Sequence, residues 1–182
     1  MPLIFNPYAL MNSVVEESLA RAPDSLTSLE QIIKSAKLKL WHQWPVGVEF
    51  VANLVDGVEI RILQGLSEWY EQLFMKTEDT KYNGLLQVAY ERLNRLVDDP
   101  IVHSNLALVY QRQGKPEEAM KEAQTSVRLK PDDPRAHIML AEIYAEQHKK
   151  SDASRALNAA AGLDRNKQHQ GKIQAVRKEY HL

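Results

Sequence analysis

Apolar residues return every third or fourth position along most of this chain, the spacing that lines one face of an α-helix. Tyr8, Met11, Val14, Val15 and Leu19 predict a first helix, opened by Asn6-Pro7 and closed before Pro23. Leu29, Ile32, Ile33, Ala36 and Leu40 predict a second, with Thr27 and Glu30 spaced as a capping box and Pro45 as its end. The short link around Ala22–Ser25 makes the two an antiparallel hairpin. Leu85, Leu86, Ala89, Leu93, Leu96 and Val97 give the buried stripe of a further helix over 82–97.

The segment between these elements carries two periods at once. Val58-Glu-Ile-Arg-Ile62 alternates like a strand, and Asp56-Gly57 is a hairpin turn signal, so a small β-hairpin at 48–64 is one reading. Val51, Leu54, Val55, Val58, Ile62, Leu66, Trp69 and Leu73 advance at helical spacing, with Ile60 the main residue out of phase. Helix is the preferred reading, with Gly57 and Gly65 the places where it would break, each costing about 1 kcal/mol.

From residue 100 onward the pattern repeats. Pro100–Asp133 and Pro134–Lys167 align without gaps over 34 residues and share nine identities. They are Pro100/Pro134, His103/His137, Leu106/Leu140, Ala107/Ala141, Tyr110/Tyr144, Gln113/Gln147, Lys115/Lys149, Ala119/Ala153 and Leu129/Leu163. A self-match at such a period marks a stacked repeat architecture. Each unit reads as two helices: 101–113 then 116–129, and 135–147 then 151–163. The small residues Ala107, Ala119, Ala123, Ala141, Ala153 and Ala160 allow helix backbones to approach closely, while Leu106, Tyr110, Leu140 and Tyr144 fill between layers. Gly114 suits the left-handed end of a helix.

Leucine at position seven of the unit, alanine at eight and twenty, tyrosine at eleven and Pro131 at thirty-two make the pattern similar to the tetratricopeptide repeat. Histidine at position four, His148 in place of the second turn's glycine and Arg165 in place of its final proline depart from that family. The resemblance implies an all-α fold: an α-solenoid of helix-turn-helix repeats preceded by an N-terminal helical region. The expected divisions are 1–65 for that region and 66–182 for the array. Within the array, 66–99 would be a degenerate repeat with Trp69 at its fourth position, 100–133 and 134–167 full repeats, and 168–182 a capping helix.

Composition narrows the chemistry. Cysteine is absent, which excludes disulfides, thiolate catalysis and Cys-based metal sites and fits a reducing compartment. No run approaches 18 apolar residues, and the N-terminus lacks the basic start of a signal peptide, so a cytoplasmic protein with no membrane span is expected. Residues 1–97 carry 9 basic against 12 acidic side chains, and residues 149–182 carry 8 against 3. That basic end lacks interleaved aromatics, so a solvated terminal helix is preferred over a nucleic-acid surface. There is no HExxH, GxSxG or phosphate-binding glycine loop. Asp98/Asp99 and Asp132/Asp133 sit in matching turns, where short carboxylates serve as helix caps, and His103 and His137 share a repeat position, which favours packing over metal ligation. No enzyme, metal or cofactor is expected. Trp41, His42, Trp44 and Trp69 form the densest aromatic set, read as sealing rings before a pocket.

Binding is what the resemblance does imply. In the tetratricopeptide family the first helix of each unit lines a concave groove. Those groove positions fall here on Ile101, Ser104, Asn105, Leu108, Gln111 and Arg112, then on Arg135, Ile138, Met139, Glu142, Ala145 and Glu146. Asn105 occupies a position that holds a ligand backbone in relatives, and Arg135 one that meets a carboxylate. Ser104, Leu108 and Met139 break the carboxylate clamp of chaperone-binding members, so the groove suits a helix or extended segment with apolar anchors. The expected function is a non-catalytic adaptor for another protein. Self-association of the N-terminal helices into a homo-oligomeric assembly factor, and a secretion-type chaperone, are the alternatives.

Overall fold

The computed structural model describes residues 7–20, 26–43 and 48–182. Every regular element among them is an α-helix: α1 (Pro7–Ala20), α2 (Leu26–Gln43), α3 (Val48–Thr77), α4 (Lys81–Leu96), α5 (Pro100–Arg112), α6 (Pro116–Leu129), α7 (Pro134–Glu146), α8 (Lys150–Leu163) and α9 (Gln170–Tyr180). The fold is the α-solenoid class that the repeat pattern implied. Packing divides the chain into two compact units, Met1–Leu96 and Val97–Leu182.

In the first unit α3 touches α1, α2 and α4, so its surface is covered from several sides. Val58, Ile62, Leu63, Leu66 and Tyr70 of α3 are buried at helical spacing, with Ile33 of α2 and Leu86 and Leu93 of α4. The helical period therefore wins over the alternating one, and the expected alternative of a hairpin at 48–64 is corrected to 30 residues of continuous helix. The physical reason is burial: a strand would have turned half of this stripe into water. Gly65 does not break the helix. A Cβ there would stand 2.8 Å from a Leu19 methyl, so the glycine lets α1 lie close against α3. The expected division after residue 65 lies inside this helix. Asn6 and Trp44 lie outside the described residues, as do the side chains of Thr27, Trp41 and His42. Trp69 is 37% exposed, its ring 5.5 Å from that of the buried Tyr70.

In the second unit the repeat is physical. Asp99 accepts hydrogen bonds from the N–H groups of Ile101 and Val102, and Asp133 accepts from that of Arg135. Both caps are followed by a proline at the first helical position. At the far ends of α5 and α7 the two turns are again equivalent. The Lys115 N–H reaches the Tyr110 carbonyl at 2.9 Å, and that of Lys149 reaches Tyr144 at 2.9 Å. Each lysine ammonium also stands near its tyrosine ring, at 5.7 and 6.0 Å, which accounts for both identities at once. Gly114 and His148 take the left-handed conformation there, with φ of 67° and 61°. Glycine does so without strain, so Gly114→Ala is expected to lower stability by about 1 kcal/mol, read as a lower thermal midpoint by circular dichroism. Two apolar clusters hold the layers. Ala107, Ala119, Ala123 and Ile143 join α5, α6 and α7, and Ile138, Ala141, Ala156, Leu157, Ala160, Ile173 and Val176 join α7, α8 and α9.

Candidate functional site

In the second unit α7 contacts both α5 and α9, and these first helices of successive layers form the wall on which the groove positions fall. On α5, Ile101 is 49% exposed, while Asn105, Leu108 and Arg112 are half-buried. Ser104 turns the other way: its hydroxyl lies 2.7 Å from that of Ser126 on α6, which donates in turn to the Pro100 carbonyl. Ser104 thus ties α5 to α6 rather than facing a ligand.

On α7 the positions separate further. Arg135 keeps an exposed guanidinium but spends two donors on the Asp133 carboxylate, at 3.1 and 2.8 Å. Those hydrogen bonds hold the Asp133 carboxyl below the usual carboxylate range against the opposing effect of its burial, with the backbone N–H and charge of Arg135 and the charge of Lys130 adding to them. Ile138 is only 4% exposed and belongs to the core cluster with α8 and α9, so the expectation that it faces a ligand is corrected. The last layer covers it. Met139 packs on the neighbouring cluster around Ile143. Glu142 pairs with Lys172 of α9 at 2.5 Å.

The wall also holds residues beyond that set. Gln111 Nε2 donates to Glu146 at 2.6 Å, while Gln111 Oε1 is buried without a donor. Tyr180 of α9 packs against the cluster of α7, α8 and α9, and burial, then the charges of Glu146, Glu179 and Glu142, push its phenol up to about 12. Lys172, Glu179 and Tyr180 sit one 34-residue step beyond Ile138, Ala145 and Glu146. Extending the period into α9 would have found them.

The histidines and the helix-capping aspartates that share repeat positions have partners within the unit. His103 is 6% exposed, with Nδ1 2.6 Å from Glu122 and Nε2 3.0 Å from Asp98. His137 Nε2 donates to the Pro131 carbonyl at 2.9 Å. Asp99 and Asp133 are helix caps. Among the described residues no group of three or more His, Asp or Glu is placed to hold a metal ion, and no helix is long and apolar enough to cross a membrane.

Residues 110–176 match the sequence model of the tetratricopeptide repeat family. No curated protein matches the sequence. Among solved structures, TTC0263, a thermophilic TPR protein of Thermus thermophilus, is 18% identical, aligns over 97% of each chain and gives a TM-score of 0.54. MamA from Desulfovibrio magneticus RS-1, residue 41 to its end, is 14% identical and aligns over 91% of this chain and 99% of its own with a TM-score of 0.50. At these identities the likeness is one of fold.

Proposed function

We propose that this chain, whose residues 110–176 match the tetratricopeptide repeat family, is a non-catalytic, cytoplasmic interaction scaffold that seats a peptide or helix of a partner protein along α5, α7 and α9. Residues 66–99 serve in this reading as a degenerate further repeat. One observation carries it. The wall keeps Ile101 exposed and Asn105 and Leu108 half-exposed, while Asp99 and Asp133 serve as helix caps and His103 is tied to Glu122. An apolar anchor beside amide and charged groups is the surface that a partner segment uses. Asn105→Ala combined with Arg135→Ala is expected to leave the helical circular dichroism intact and to weaken capture of the partner by about tenfold. Undiminished capture by the folded variant would place the binding surface elsewhere.

A further inference from the structure

His103 and His137 hold the same repeat position, but their rings ask for different numbers of protons. His137 needs one, because its Nε2 donates to the Pro131 carbonyl at 2.9 Å. His103 has a carboxylate at each nitrogen: Glu122 of α6 lies 2.6 Å from Nδ1, and Asp98 of the turn before α5 lies 3.0 Å from Nε2. An ionised carboxylate only accepts, so each ring nitrogen must supply the hydrogen, and only the imidazolium carries two N–H groups. The ring and Glu122 are nearly closed to solvent, with 7% and 13% of their side chains exposed, whereas Asp98 keeps 69%. The other charged groups of the turn, α6 and α7 are committed elsewhere or exposed. Asp99 caps α5 through the N–H groups of Ile101 and Val102. Glu117, Glu118, Lys121 and Arg128 of α6 are exposed. On α7, which also packs on α5, Arg135 is held by Asp133, Glu142 by Lys172 and Glu146 by Gln111.

We propose that His103 is a proton-operated clasp at the start of α5. With both nitrogens protonated, the ring fastens the turn at 97–99 to α6 through Asp98 and Glu122. When the ring gives up one proton, the buried bond to Glu122 is the costlier one to leave unmade, so Nδ1 keeps its hydrogen. Nε2 then turns a lone pair toward an oxygen that has only lone pairs, and the exposed Asp98 carboxylate leaves for water. The first turn of α5 thereby loses a tie that holds Asp99 in its capping position. A cation that gains anionic partners on folding contributes its stability at low pH, and that contribution is lost as the pH rises. The start of α5 is therefore expected to loosen as the pH is raised, while that of α7, whose histidine asks for a single hydrogen, stays as it is.

The test is amide hydrogen exchange at Ile101, Val102 and His103, whose N–H groups all bond to Asp99, in the full chain and in its Asp98→Asn variant. The substitution removes a charge at an exposed position, so folding is retained, and the new amide can either accept from the ring or donate to it. Wild type is expected to be protected about fivefold more than Asp98→Asn at about pH 5 and no more than it at about pH 8, the span over which histidine changes charge. At Arg135, whose N–H bonds to Asp133, the two proteins are expected to exchange alike at both pH values. Nitrogen-15 spectra of the rings at the acidic pH should show a hydrogen on each nitrogen of His103. A protection ratio that stays constant or rises between the two pH values, or a His103 ring with one hydrogen at the acidic one, would overturn the clasp and leave His103 a packing residue.

Discussion

Ala119→Trp unfolds the repeat unit that contains it. Ala119 is completely buried on α6, in the cluster where Ala107 of α5, Ala123 of α6 and Ile143 of α7 meet. All three neighbours are themselves within 1% of full burial, so an indole has no path to solvent and no smaller residue beside it to displace. Close-packed interiors resist even single added methylenes, which cost about 1–3 kcal/mol, and a whole indole lies at or beyond the upper end of that range. A two-hairpin unit with a cap has little stability to spare against that loss. The expected result is a large drop in far-UV circular dichroism at room temperature, or a second, much earlier melting transition. Glu118→Trp is the control, because Glu118 is exposed one residue away on the same helix and should accept the ring with little change. Equal melting of the two variants would mean that α5 and α6 are not packed through Ala119.

That prediction could be written from the sequence, because the repeat announces its own packing. Identities survive where two copies meet the same neighbours: Ala119 and Ala153 are both fully buried, as are Ala107 and Ala141. The same logic misleads where neighbours differ. Ser104 and Ile138 hold one repeat position, yet one bonds across to α6 and the other is sealed beneath α9. Position within a repeat assigns a face only while the next layer is alike, and the last layer here is a single helix. Lys172, Glu179 and Tyr180 continue the 34-residue period from Ile138, Ala145 and Glu146, so the helix that caps the core also extends the row of groove positions. In the first unit the difficulty was distance along the chain. Nothing local to Gly65 says that Leu19 will lie on it, so the glycine reads as a weakness when it is a point of contact. Glu59 shows this most sharply. It sits on the helix between Val58 and Ile60, inside the buried stripe, where a carboxylate looks like an interruption.

Replacing Glu59 is expected to have the largest effect in the first unit. The residue is 2% exposed on α3, and its carboxylate is shared by Lys37 of α2 and Arg92 of α4. Burial alone would push its carboxyl up. Hydrogen bonds from Lys37 and Arg92, together with their charges, outweigh that and hold it below the ordinary carboxylate value. One acid therefore ties the helices before and after α3 to its middle. Glu59→Ala leaves two cations without their common partner. Both reach partly into water, with 32% and 27% of their side chains exposed, so the cost falls near the lower end for a broken buried pair, about 3 kcal/mol. Glu59→Gln keeps an acceptor but no charge and should lose less. The acid dependence has a definite sign. A carboxylate whose folded value is depressed contributes fully above its ordinary value of 4.5, and the contribution is lost as the pH falls below that through the folded value. Wild-type stability should therefore fall more steeply than that of Glu59→Gln on acidification below pH 4.5. Trp41, Trp44 and Trp69 all lie in the first unit and the second has no tryptophan, so urea unfolding followed by tryptophan fluorescence reports this unit alone. Parallel pH profiles for wild type and Glu59→Gln would show that the carboxylate is not charged and shared in the folded unit, and the tie between α2, α3 and α4 would have to come from their apolar contacts.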